Sequence, residues 1–118
     1  MELKLKRFED VYVIQVLGEM DLYNAGSLKE LVQKMLEKNI HCLVIDMELC
    51  EYIDSTGVGT LLGIYNQVKQ RKIAFSLSGV KGTVLKVLTL TKLNEFFPLA
   101  STLQKAVVQV KKQTTSKG

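Results

Sequence analysis

Ser55 and Thr56 stand side by side after Asp54 and before Gly57-Val58-Gly59, and chemistry is easiest to place there. A hydroxyl can serve as a nucleophile, as a phosphate acceptor or as a helix cap. The nucleophile reading fails on spacing. A hydrolase elbow needs Gly-x-Ser-x-Gly, but Ser55 has Ile53 and Gly57 at those offsets. An aspartic protease triplet would have one residue between Asp and Gly, whereas Ser55 and Thr56 both intervene here. The only histidine, His41, opens a strand, where a lone histidine is a surface or capping residue. No Gly-x-x-x-x-Gly-Lys-Ser/Thr string is present for a nucleotide phosphate. Nucleophile, base and oxyanion donors do not assemble, so the expectation is a protein that is not an enzyme and needs no cofactor.

The other two readings both need a helix start. A short apolar strand ends upstream of the string, and an amphipathic helix begins within it. Helix N-termini carry unpaired N–H groups and the positive end of the dipole, so they tolerate an added phosphate. Either Asp54 or Ser55 serves as the N-cap, a role worth about 1 kcal/mol. The small residues that follow let another surface approach closely.

The elements that must position this string are legible as a series. Leu3 and Leu5 alternate with charged residues in a first strand; Glu9-Asp10 turns the chain; Val11 to Leu17 is a second, more β-branched strand. Gly18-Glu19-Met20-Asp21 ends it. A helix then starts between Asn24 and Ser27, with Ser27-Leu28-Lys29-Glu30 as a capping box and Asn39 as a left-handed stop. Cys42-Leu43-Val44-Ile45 is a continuous apolar run, as in a central strand covered on both faces, and ends at Asp46. In the second helix Val58, Leu61, Leu62, Tyr65 and Val68 form the buried face. Gly59 and Gly63 are costly within it, about 1 kcal/mol each against Ala, which points to close packing on the sheet, or else on a partner. Ile73 to Leu77 is a strand, and Gly79 and Gly82 bracket the loop to a third helix. Phe96-Phe97-Pro98 reads as a short edge strand, and Ser101-Thr102-Leu103-Gln104 caps a last helix. The order is ββαβαβαβα: one α/β domain, a mixed, mostly parallel sheet of about five strands with four helices. The domain spans residues 1–112, and residues 113–118 are a polar tail expected to be disordered.

Bulk properties narrow the class. The chain has 118 residues, 47% hydrophobic, enough for one core. No apolar run is long enough for a bilayer, and Met1 to Lys6 alternates rather than forming a signal-peptide core, so a cytoplasmic location without membrane contact is expected. The two cysteines make no disulfide framework. Cys42 reads as a buried small hydrophobe and Cys50 as a turn residue open to solvent; with one histidine, no metal site is expected. The net charge of +4 is mild, and aromatics fall in apolar runs rather than among the lysines, so no nucleic-acid partner is expected.

Gly18-Glu19-Met20-Asp21 after a strand, Leu43-Val44-Ile45-Asp46 ending another, and Tyr52-Ile53-Asp54-Ser55-Thr56-Gly57-Val58-Gly59-Thr60-Leu61-Leu62-Gly63 together resemble the STAS domain. The similarity is to its bacterial anti-sigma factor antagonists, and it runs from Met1 to about Lys112. That resemblance implies a partner switch. The unphosphorylated antagonist would bind an anti-sigma factor, a serine kinase of the histidine-kinase-like ATPase fold, and so free sigma factor. Phosphorylation of Ser55 would end the complex, and a PP2C-type phosphatase would restore it. Thr56 matches a Ser/Thr position, a secondary acceptor. Glu19 and Asp21 match an acidic pair of the binding surface, which would also include Asp54, Ser55, Thr56, Gly57, Val58 and Gly59. Met20 and Val58 are mild departures from the commoner residues. A monomer when free is expected. STAS domains also occur in transporters and stress-sensing complexes, so the alternative is an interaction module in which Ser55 only caps a helix.

Overall fold

The computed structural model describes residues 1–116, with side chains described through Thr114. Ten elements follow one another: β1 (Glu2–Phe8), β2 (Val11–Met20), α1 (Ala25–Leu36), β3 (Cys42–Asp46), β4 (Cys50–Ile53), α2 (Ser55–Gln70), β5 (Ala74–Ser78), α3 (Gly82–Leu90), β6 (Leu99–Ala100) and α4 (Leu103–Ser116). The order is therefore ββαββαβαβα, and the sheet has six strands rather than about five. Its path is β1-β2-β3-β5-β6, with β4 also paired to β2. Only the β1–β2 hairpin is antiparallel. No helix among the described residues is long and apolar enough to cross a membrane.

Period-two alternation divides the central strands between two cores. Ile14 and Val16 of β2, Leu43 and Ile45 of β3, and Phe75 and Leu77 of β5 face the side covered by α1, α2 and α3. Val11, Val13, Cys42, Val44 and Ala74 face the other side, where Ala106 and Val110 of α4 close over them. The second set is small, which lets a single helix seat closely. The continuous apolar run of β3 thus means a strand buried on both faces, and β5 is buried on both faces as well although Ser76 and Ser78 interrupt its apolar residues.

The unexpected strand, β4, explains how the Ser55 string is held. It pairs with β2 beyond the end of β3, after a register shift between Gly18 and Glu19. Gly18 carries φ +90, a left-handed conformation that suits glycine, so the bulge falls where the sequence allows it. In β4 only Cys50 and Ile53 are buried, a spacing of three with no strand periodicity to read. Cys50 is consequently 6% exposed, not an open turn residue.

Other boundaries also differ from the sequence reading. α1 begins at Ala25, within the expected range, but Ser27 lies inside it, so the Ser27-Leu28-Lys29-Glu30 capping box is not used. The cap residue Asn24 uses its side chain outside the helix. Asn39 does adopt the left-handed conformation, at φ 55. Phe96-Phe97-Pro98 is not a strand; the edge strand is Leu99–Ala100, just past the proline. Thr102, not Ser101, caps α4: its Oγ1 accepts from the Lys105 amide at 3.1 Å. α4 continues to Ser116, so Gln113–Ser116 is helical where a disordered tail is expected; residues 117–118 lie outside the described residues.

Candidate functional site

β2 and β4 end together. Met20 pairs with Ile53, and the Asp54 amide donates to the Met20 carbonyl at 3.2 Å. The chain therefore leaves the sheet twice at one point: from β2 into the loop Asp21–Asn24, and from β4 into α2. Asp54 fastens the two exits. Its Oδ1 accepts from the Gly57 amide at 2.9 Å, and its Oδ2 accepts from the Leu22 amide at 3.0 Å. One carboxylate thus caps α2 and holds the neighbouring loop, so the cap is Asp54 and not Ser55.

That division of labour frees Ser55. Its side chain is exposed at the first helical position and makes no hydrogen bond among the described residues. Thr56 is exposed one residue on, and its carbonyl accepts from the Thr60 hydroxyl at 3.0 Å. No histidine can activate either hydroxyl. His41 precedes Cys42, which pairs with Val11, while Ser55 follows Ile53, which pairs with Met20. The two residues sit at opposite ends of β2, about 30 Å apart at the rise of a β-strand.

The predicted site residues separate into surface and support. Glu19, Asp21, Asp54, Ser55, Thr56 and Gly59 gather at this end of the sheet, each exposed or half-buried. The Asp21 carboxylate is turned onto its own loop, where Oδ1 accepts from the Tyr23 amide at 2.9 Å. Gly57 and Val58 do not form a binding surface. Val58 is 6% exposed and packs in the α1–α3 core. A Cβ on Gly57 would lie 2.5 Å from Ile53 Cγ1 and 3.0 Å from the Met20 carbonyl oxygen. Gly57 is there because the first turn of α2 presses on the sheet edge.

Gly59 and Gly63 behave in the opposite way. Both are exposed, with open space where a Cβ would project, so they do not pack against the sheet. Together with Thr56, Thr60 and Gln67 they line one wall of a groove of about 430 Å³, opposite Lys29 and Gln33 of α1, over a floor of Val32 and Ile64. The Gln33 and Gln67 side chains bridge the helices at 2.6 Å. Ser55 to Val68 holds no charged residue, so this side of α2 is smooth and neutral.

Two residues absent from the predicted site stand beside it. Leu22 is 65% exposed and Tyr23 92% exposed, in the loop that Asp54 holds. Their signal in the sequence is weak but present: two large apolar residues after Asp21 that belong to neither the strand alternation nor the helical stripe. Both thiols, by contrast, are buried. Burial pushes Cys42 and Cys50 above their ordinary value, away from the reactive thiolate.

Fold and site define a small α/β domain that displays a serine at a helix start beside exposed apolar side chains. The sequence model of the STAS domain matches residues 2–106, and the chain belongs to that family. It is similar to the anti-sigma-B factor antagonist of Listeria monocytogenes, 30% identical over 94 residues, which covers 80% of this chain and 82% of that protein. The antagonist of the same name from Staphylococcus epidermidis is 26% identical over 87 residues, covering 74% and 81%. A solved anti-sigma factor antagonist from Mycobacterium paratuberculosis superposes with a TM-score of 0.84 at 25% identity, over 93% of each chain.

Proposed function

We propose that this chain is an anti-sigma factor antagonist switched at Ser55. With Ser55 unmodified it binds an anti-sigma factor serine kinase of the histidine-kinase-like ATPase fold, and sigma factor is released. The kinase phosphorylates Ser55, the complex parts, and a PP2C-type phosphatase resets the switch. The domain itself is a substrate and binding partner, not an enzyme. The observation that carries this reading is the exposed Ser55 hydroxyl on a helix start whose capping is done by Asp54. The relatives named anti-sigma-B factor antagonist support the same reading.

The physics of the switch is local. A phosphate brings about −1.5 to −2 charges at neutral pH. The domain tolerates it, because a helix N-terminus favours an anion and the Ser55 side chain supports nothing else. The partner surface does not, since the new charge adds to Glu19, Asp21 and Asp54 at the same end of the sheet. A loss of about 3 kcal/mol on a desolvated interface weakens binding by more than about a hundredfold.

The test is binding and modification by the kinase. Wild type incubated with ATP and the kinase should gain one phosphate on the Ser55 peptide by mass spectrometry. Ser55→Asp should keep the thermal midpoint and lose binding; Ser55→Ala should bind and stay bound. Binding by Ser55→Asp equal to wild type would sink the proposal. So would a kinase that binds the chain without ever modifying Ser55, the result expected of an unswitched interaction module.

A further inference from the structure

The loop from Asp21 to Asn24 is unusually well tied for an exposed segment. The Asp21 amide donates to Asn24 Oδ1 at 2.8 Å, the Leu22 amide to Asp54 Oδ2 at 3.0 Å, and the Tyr23 amide to Asp21 Oδ1 at 2.9 Å. The Asn24 and Ala25 amides both donate to the Asp21 carbonyl, at 3.2 and 2.9 Å. Asn24 Nδ2 donates to the Glu19 carbonyl at 2.8 Å, which ties the loop back to β2. Every backbone N–H from Asp21 to Ala25 is held, and three of the acceptors are side-chain oxygens. Yet this rigid loop turns Leu22 and Tyr23 outward, and Tyr23 at 92% is almost wholly in solvent.

A pinned backbone carrying exposed apolar side chains suits a binding anchor. Little conformational freedom is lost when such a loop docks, and an aromatic ring brings a large contact area on few rotatable bonds. The position identifies the occupant. Leu22 is one hydrogen bond from Asp54, the residue before Ser55. An enzyme that brings a phosphoryl group to Ser55 covers a footprint of about 800 Å², roughly 30 Å across, so the loop falls inside it. The flanking carboxylates Glu19 and Asp21 set the rest of the complementarity: an apolar socket with a cationic rim.

We infer that Leu22 and Tyr23 are the apolar anchor by which the Ser55-modifying kinase holds this chain, and that Asp54 is the positioning residue that keeps the anchor in register with Ser55. The inference rests on the switched-antagonist reading and names what its partner grips. Asp54 acts here through the loop. Its two carboxylate oxygens serve two amides, one in each exit from the sheet, and a side chain with one oxygen cannot do both.

The experiment uses the full chain and the kinase that phosphorylates wild type on Ser55. Leu22→Ser and Tyr23→Ser alter exposed side chains, and each should raise Kd about tenfold or more, as truncation of a hot-spot residue does. KM for phosphorylation should rise with kcat nearly unchanged. Tyr23→Phe should restore binding, because the ring and not the hydroxyl is the anchor. Asp54→Ser retains an oxygen for the Gly57 amide but loses the tie to Leu22. Hydrogen exchange should show the Leu22 amide deprotected while α2 amides stay protected. Its effect on Kd should be less than multiplicative with Leu22→Ser, since both act on one contact. Kd within about twofold of wild type for both serine variants, with wild type itself bound and phosphorylated, would overturn the anchor and leave the switch standing. Full Leu22 amide protection in Asp54→Ser would overturn the positioning role. A wild-type chain that the kinases of its own organism neither bind nor modify would instead remove the switch, and the anchor with it.

Discussion

Two helices of this chain begin beside paired hydroxyls, Ser55-Thr56 at α2 and Ser101-Thr102 at α4, and they use them oppositely. At α4 the hydroxyl is the cap: Thr102 Oγ1 accepts from the Lys105 amide. At α2 a carboxylate does that work, and the Ser55 hydroxyl is left exposed. The third helical residue differs as well. In α4 it is Lys105, in solvent; in α2 it is Gly57, pressed between Ile53 and Met20. A hydroxyl at a helix start is therefore structural or available for modification according to what satisfies the first-turn amides. At α2 the helix is fixed by neighbours of the serine, so the serine can change without cost to the fold.

The largest expected difference lies at that third residue. Gly57→Ala places a Cβ against Ile53 and the Met20 carbonyl oxygen. Overpacking of this kind costs about 3 kcal/mol. The gain in helix propensity returns about 1 kcal/mol, which leaves about 2 kcal/mol of destabilisation. Lys105→Ala, at the same place in α4, should stay within about 0.5 kcal/mol of wild type. Chemical denaturation of the two variants measures both. Equal midpoints would mean that the α2 start is no more tightly seated than that of α4.

Next come the caps. Asp54→Ala removes the acceptor for the Gly57 amide and the tie to Leu22, for a loss of about 1.5 kcal/mol. Thr102→Ala removes one acceptor and should cost about 1 kcal/mol. The gap between the two, read from urea midpoints, is the worth of the second carboxylate oxygen. That oxygen reaches a residue 32 positions away in the chain, which is why no local reading of the sequence finds it.

The same distinction explains what was legible. Val11 to Leu17, Cys42 to Asp46 and Ile73 to Leu77 declare themselves because burial on one or both faces writes a pattern into consecutive residues. β4 does not, since it buries only Cys50 and Ile53 around a bulge in its partner strand. Gly59 and Gly63 carry the same letter as Gly57 but face open space, and only the orientation of α2 tells them apart. Asp54-Ser55-Thr56-Gly57 stands out as a helix start from its types and spacing alone. Which oxygen caps it, and that Leu22 and Tyr23 lie beside it, depends on β2 and β4 ending in register. The last turn of α4 leaves no such pattern, because Gln113 to Ser116 is polar throughout, although polar residues continue a helix readily once its buried stripe has started it.

Each region also holds one thiol. Cys42 lies under α4, with Sγ 3.8 Å from the Val110 carbonyl oxygen, and Cys50 begins β4 beside α2. Burial raises both above the ordinary thiol value of 9.0. The folded chain therefore keeps protons that the unfolded chain gives up. Stability from this source is complete below pH 9.0 and declines as pH rises past it, by up to about 1 kcal/mol per thiol within one pH unit. Cys42→Ala and Cys50→Ala should each flatten the fall in denaturant midpoint between pH 8 and pH 10 under reducing conditions. An unchanged pH profile in both would show that neither thiol titrates differently in the folded state.

The smallest effect is the one on which the comparison turns. Ser55→Ala should leave unfolding free energy within about 0.5 kcal/mol of wild type, because the hydroxyl it removes holds no amide. Thr102→Ala, the same loss of a hydroxyl at a helix start, should cost roughly twice that or more. Paired denaturation curves under one set of conditions read the difference directly. If Ser55→Ala matches Thr102→Ala, the serine shares the cap with Asp54, and a phosphate there would disturb the helix as well as the partner. If Ser55→Ala is silent, modification at Ser55 changes what the surface presents while the amides of α2 stay held by Asp54.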